Sequence, residues 1–216
     1  MGIELDEVLV ADAPEAWEAA GFTVDPDGVC RIGSVRVRLL GRDAGKRIVG
    51  WSLRGLDEGT TELDGLATTA STEPKAEPAE HPNGCVELDH IVLLSPDVER
   101  TIKTFGAVGL DVRRQREVDA KQYGFDAVQT FFKAGEPILE LIGGKEASGD
   151  GPTGFFGLAW TVSDIDALPE RYGPDGLGSV KVAVQPGRRI ATLRHKVFGI
   201  SVATAFMSPE PEPDTA

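Results

Sequence analysis

The 216-residue chain carries 35 acidic against 22 basic residues, a formal net charge of −13, which argues against the basic face that binding to nucleic-acid phosphates requires. With 41% hydrophobic and 26% charged residues it has the balance of a globular protein in water, long enough for one large domain or two small ones. No apolar run nears the ~20 residues that span a bilayer, and the N-terminus lacks the basic-then-apolar pattern of a leader. The expectation is a cytoplasmic protein without nucleic-acid or membrane partners.

In chain order, "ELDEVLVAD" predicts a strand, "APEAWEAAG" a short helix ended by Gly21, and "VCRIGSVRVRLLG" with "KRIVGWSLRG" the remaining strands of a first unit over residues 1–65. "LATTASTEPKAEPAEHPNG", residues 66–84, is rich in Pro, Ala, Glu and Thr and has no aromatic residue. It reads as a solvated linker. "VELDHIVLL" is the next strand, after which Ser95 caps a helix with Pro96 at its first position. Val98, Ile102 and Phe105 then fall on one buried stripe. "LDVRRQREV", "DAVQTFFKA" and "PILELIG" predict three further strands.

The plan repeats from "FGLAWTVS", with Ser163 capping a helix, followed by strands in "SVKVAV", "RRIATLRH" and "ISVATAFM". A βαβββ unit thus recurs three times, and one such unit alone leaves a sheet face bare. The fold class is α+β: paired βαβββ modules over residues 85–208, preceded by a degenerate N-terminal βαβββ-like module and followed by a flexible acidic tail, 209–216. Cys30 and Cys85 match no metal spacing and read as small buried hydrophobes.

"LDHIVL", "ILELIGG" and "GLAWTVSDID", in this order and context, make residues 86–208 resemble the vicinal oxygen chelate superfamily, which includes glyoxalase I, epimerases, extradiol dioxygenases and antibiotic-sequestering proteins. The resemblance implies two modules enclosing a cavity, with a divalent metal held by the first and last strands of each. It carries His90 and Glu140 onto ligand positions. In the second module Gly157 takes the third position, and Ala203, Thr204 or Ala205 falls at the fourth, so the implied metal site is incomplete. Glu7 stands in the N-terminal frame "IELDEV" where His90 stands in "VELDHI", and would complete the shell only if the first module paired with the middle one. Pairing of sequential neighbours favours the middle and last modules instead.

Without a metal, His90 and Glu140 form a general-base and orienting pair, or simply line a pocket. Strand alternation turns Leu88, Val92, Leu94, Ile138 and Ile142 into the cavity beside them, with Gly157, Ala159 and Thr161 opposite. Such a cavity suits a small, largely apolar organic molecule, with Gly157 leaving room for bulk. Arg188, Arg189 and Arg194 are candidates to anchor an anion at its mouth. The reading is therefore a small-molecule binding protein. A metal-dependent lyase, isomerase or dioxygenase is one alternative, and a dimerisation module the other; a homodimer is the partner foreseen beyond the ligand.

Overall fold

A computed structural model describes residues 2–119, 124 and 126–211 of the chain; residues 212–216 of the expected tail lie outside them. Two mixed sheets carry the fold. The first has the order β2-β3-β1-β4-β6-β5, built from β1 (Glu4–Val10), β2 (Val29–Ile32), β3 (Val35–Leu39), β4 (Ile48–Arg54), β5 (Glu62–Leu63) and β6 (Leu66–Ser71). The second has the order β12-β13-β14-β11-β7-β10-β9-β8. Its first module comprises β7 (Cys85–Leu94), β8 (Val112–Val118), β9 (Ala127–Lys133) and β10 (Ile138–Gly144). Its second comprises β11 (Gly154–Val162), β12 (Lys181–Val182), β13 (Arg189–Thr192) and β14 (Ala203–Met207). Helices α1 (Pro14–Ala19), α2 (Val98–Ala107) and α3 (Leu168–Gly176) follow the first strands of three modules.

Each module of the second sheet has its first and last strands parallel, β7 with β10 and β11 with β14, and the two modules join through antiparallel β7–β11. The middle and last modules do pair. The N-terminal sheet repeats this scheme in reduced form. In it β1 runs parallel to β3 and antiparallel to β4, and β4 runs parallel to β6. "KRIVGWSLRG" therefore supplies β4, which opens a further, helix-less unit instead of closing the first.

The linker expectation is corrected by the same pairing. Residues 66–71 form a strand on β4, reached by a two-residue turn at Asp64 and Gly65, both with positive φ (51° and 86°). Asp-Gly is the residue pair that a tight hairpin of this hand prefers, and the signal stands in "ELDGLATT". Residues 72–84 then run along the open edge beside β2: the Ala76 and Ala79 amides donate to the Ser34 and Arg31 carbonyls, and Arg36 and Arg31 donate to the Pro74 and Glu77 carbonyls. An edge strand offers unpaired backbone groups, and this strap covers them. Proline-rich composition suits an extended strap as well as a linker.

Two of the expected helix caps also shift. Asp97, not Ser95, caps α2 and accepts from the Arg100 amide, while Ser95 accepts from the Asp97 amide and the Thr101 hydroxyl. Helix α3 starts at Leu168 without a side-chain cap, because Asp164 folds residues 164–166 into a turn by accepting from the Asp166 amide.

One apolar core lies between the sheets. Leu5, Val8 and Val10 of β1 share it with Leu88, Ile91 and Leu93 of β7 and Leu158, Trp160 and Val162 of β11. Trp17 and Phe22 meet Trp160 and Phe206, and Trp51 meets Phe105 and Phe155, at centroid distances of 5.1–6.4 Å. Trp17 and Trp51 are core aromatics, each with its indole N–H bonded, to Asp12 and Thr68. Cys30 and Cys85 are free and buried. Among the described residues no helix is long and apolar enough to cross a membrane.

His81, in the strap, is buried: Nδ1 accepts the Thr23 amide at 2.9 Å and Nε2 donates to the Arg31 carbonyl at 3.1 Å. This geometry needs the neutral ring, and burial holds its pKa below the ordinary histidine value. The unfolded chain therefore takes up the proton first. The stability contributed by neutral His81 is complete above about pH 6.5 and is lost as pH falls from there through the folded value. His195, also depressed mainly by burial, acts in the same direction. His81→Ala should cost about 1–3 kcal/mol at pH 7.5 and flatten, without abolishing, the fall in urea midpoint between pH 7.5 and 5.5. An unchanged pH slope would remove His81 from this account.

Candidate functional site

The antiparallel register of β7 on β11 slips between Ala159↔His90 and Trp160↔Leu88, leaving Asp89 as the extra residue of a β-bulge. A bulge turns two successive side chains to one face. Asp89 and His90 therefore both point away from the core, whereas Leu88 joins Ile91 and Leu93 inside it. The expectation that Leu88 faces the cavity is corrected for this reason, and Asp89 is the site residue that alternation alone missed. Val92 and Leu94 keep the alternation, as do Ile138, Glu140 and Ile142 on β10, where Ile138 pairs with His90 and Glu140 with Val92.

A polar relay crosses this face. The Arg116 guanidinium donates to the Gln129 side-chain oxygen, and the Gln129 amide donates to Glu140 Oε1. Glu140 Oε2 lies 3.4 Å from His90 Nε2, and His90 Nδ1 lies 2.6 Å from Asp89 Oδ1. Asp89 Oδ2 is paired with Arg188 and accepts from the Thr161 hydroxyl, and Arg188 Nε donates to the Ser208 carbonyl. Burial pushes the Glu140 carboxyl above its ordinary value, only partly offset by His90 and Arg116. Burial acts on Asp89 too, but there the His90 and Arg188 contacts outweigh it and hold the carboxyl low. Asp89 thus stays ionised and fixes the His90 ring, while Glu140 holds its proton more readily.

The sheet curls so that both of its edges border one cavity of about 390 Å³, with His90, Gln129, Phe131 and Glu140 on the floor, Arg116 from β8 on one side and Lys181 from β12 on the other. A second cavity of about 500 Å³ adjoins along the same face, lined by Val92, Leu94, Ser95, Ile142, Ser148 and Phe156. Phe156 reaches it through another slip in register, between Phe155↔Leu93 and Gly157↔Val92.

The remaining candidates fall as follows. Gly157, Ala159 and Thr161 share the inner face of β11, as alternation predicts, and the core residues Leu158, Trp160 and Val162 take the other. Gly157 does not leave room for a ligand. A Cβ there would stand 2.6 Å from the Ala203 carbonyl oxygen, so glycine lets β14 approach. Arg188 is buried and committed to Asp89 rather than placed at the mouth, and an arginine that charge patterning reads as solvated is a structural part of the site. Arg194 bonds the Pro174 carbonyl and Arg189 pairs with Asp166, both outside the cavities. Glu7 lies on the outer face of the other sheet, paired with Arg38 at 2.8 Å, with the whole core between it and His90. It is not a ligand with His90 and Glu140.

The resemblance implies a divalent ion, and the donor set does not fit one. His90 and Glu140 are two donors; Gly157, Ala159, Ala203 and Ala205 on the facing strands add none. Asp89 is already engaged by His90 and Arg188. Among the described residues no group of three His, Cys, Asp or Glu side chains is placed to hold a metal, and a firmly bound ion needs at least three.

Two outcomes follow. Arg188→Met leaves the Asp89 carboxylate buried without its cation and should cost about 3–5 kcal/mol in urea unfolding, with much of that recovered in the Asp89→Asn/Arg188→Met double variant; additive costs would mean that the pair does not interact. Gly157→Ala should cost about 1–3 kcal/mol through the forced separation of β11 and β14, and a neutral result would show that the strands yield freely.

Residues 89–193 match the profile of the Glyoxalase/Bleomycin resistance protein/Dioxygenase superfamily. A comparison with curated proteins finds no match. Among solved structures, a triple mutant of 4-hydroxymandelate synthase from Streptomyces coelicolor superposes over 95% of this chain and 92% of its own, with 13% identity and a TM-score of 0.65. That likeness is one of fold and takes in both sheets. Methylmalonyl-CoA epimerase from Mycobacterium tuberculosis covers 59% of this chain and 91% of its own at 18% identity, with a TM-score of 0.47. Methylmalonyl-CoA epimerase from Streptomyces coelicolor, in complex with 2-nitronate-propionyl-CoA, covers 59% and 99% at 21% identity, with a TM-score of 0.44. With its paired βαβββ modules and this profile match, the region of residues 89–193 is a domain of the Glyoxalase/Bleomycin resistance protein/Dioxygenase superfamily, that of the vicinal oxygen chelate fold.

Proposed function

We propose that the protein binds a small organic molecule on the inner face of its second sheet, without a resident metal ion. The observation that carries this reading is the pair of adjoining cavities on one strand face: a polar one over His90 and Glu140, an apolar one over Val92, Leu94, Ile142 and Phe156. Apolar walls with a few convergent polar groups are the usual make-up of a small-molecule site. Leu94 and Phe156 are each 42% exposed, apolar surface that a ligand would cover.

A second reading, proton transfer on the bound molecule, is favoured by the Asp89–His90 hydrogen bond. It fixes the ring with Nε2 toward Glu140 and the cavity, which suits a general base held in one tautomer beside a carboxyl whose pKa burial raises. Such a pair serves an isomerase or lyase that moves a proton between two carbons.

Nile red, a neutral apolar dye, should bind with a fluorescence gain that Val92→Asp abolishes and Arg194→Gln leaves intact. Elemental analysis after dialysis against zinc, nickel or manganese should give substoichiometric metal that is the same in His90→Ala. Dye binding indifferent to Val92→Asp, or near-stoichiometric metal lost with His90, would sink this reading.

A further inference from the structure

Resting on the reading that these cavities hold a small molecule, we infer that the ligand is an amphiphile with a carboxylate head, bound between Arg116 and Lys181, and an apolar tail of acyl or aryl kind over Val92, Ile142 and Phe156. The argument begins with charge. In a chain of net −13, the described lining of the polar cavity carries two cations, Arg116 and Lys181, against one carboxylate, Glu140, since Asp89 is neutralised by Arg188. The two cations come from opposite edge strands, β8 and β12, and reach one cavity only because the sheet curls. No ion pair engages Lys181 among the described residues, and Arg116 spends its Nε on Gln129 and lies over the Phe131 ring, its centroid 5.6 Å away. Its outer nitrogens stay available for a planar, two-pronged contact with a carboxylate.

The tail follows from position. His90, Val92 and Leu94 are successive inward residues of one strand, so the face from the polar floor to the far apolar end spans roughly 13 Å at ~3.3 Å per residue. An anionic group at the Arg116–Lys181 end places any attached chain of several carbons over Val92, with Ile142 and Phe156 around it. A purely apolar ligand would leave the two cations facing each other across an occupied site, and a polyanion would leave the apolar cavity wet. The carboxylate amphiphile satisfies both ends.

The test uses two ligands that share a tail, 4-phenylbutyrate and 4-phenylbutan-1-ol, each displacing Nile red from the full chain at pH 7 and low salt. The acid should bind at least about tenfold more tightly than the alcohol, and the advantage should shrink as salt is raised. In Arg116→Gln/Lys181→Gln the two should bind within about twofold of each other, the alcohol keeping its wild-type affinity. Lys181→Gln alone, at an exposed position with no ion-pair partner among the described residues, should lose part of the preference without disturbing the fold. Equal binding of acid and alcohol to the wild type would overturn the carboxylate assignment while leaving the cavity a binding site. So would a preference for the acid that survives the double variant. Displacement by neither ligand would overturn the ligand class, and failure of Nile red itself to bind would instead bring down the reading on which this one rests.

Discussion

The antiparallel seam between β7 and β11 is the constraint on which the site depends. It joins the first strands of two modules, so it sets how the two halves of the second sheet face one another. At its middle the extra residue Asp89 breaks the alternation and does two things. It keeps Leu88, Ile91 and Leu93 together in the core, and it sets an acid beside His90 on the opposite face. Without the slip, a strand with this apolar pattern would have to bury Asp89 among aromatics, at a cost no single hydrogen bond offsets. Arg188, arriving from the loop before β13, then makes the buried acid tolerable.

The N-terminal sheet has the same seam with a different outcome. β1 pairs antiparallel with β4, and its register slips between Leu5 and Glu7, so that Asp6 and Glu7 share the outer face. There Asp6 is met by Arg36, Arg54, Ser52 and Ser71, and Glu7 by Arg38. The face is closed by ion pairs contributed by its own strands, whereas in the second sheet the position of Glu7 is taken by His90 and a cavity stands over it. One backbone device thus supports two ends: a neutralised face in one sheet and an open polar floor in the other.

Most of this was readable in the residues, and the failures have separate causes. Strands β7, β9 to β11 and β14 follow from their apolar patterns, and the kinship of "LDEV" with "LDHI" marks equivalent bulged positions. What alternation cannot register is an inserted residue: the period of two predicts Leu88 inward and overlooks Asp89, because a bulge leaves no mark in polarity. Arg188 was hidden for a second reason. Its partner lies 99 positions away, and nothing local distinguishes a buried arginine from a solvated one. Residues 66–84 show a third limit. Composition reads proline and glutamate as solvated chain, yet the carbonyls of Pro74 and Glu77 serve as acceptors for arginines of the neighbouring sheet, a use that depends on backbone and not on side-chain type.

Gly157 ties the electrostatics to the packing. In the metal-binding pattern a donor would stand at that position, but here β14 lies so close that even a methyl group would meet the Ala203 carbonyl. The loss of donors is therefore part of how β11 and β14 pack, and one substitution would not restore it. The consequence falls on Glu140. A divalent cation would compensate the burial of its charge and hold it ionised; His90 and Arg116 do so only in part, and the carboxyl is left raised. Asp89, also enclosed but bonded to His90 and paired with Arg188, is held low. Two carboxyls on either side of one imidazole are thereby pushed in opposite directions by their surroundings alone, the separation from which acid and base roles are made. The residues that carry this contrast owe their places to one bulged strand and one close pair of strands.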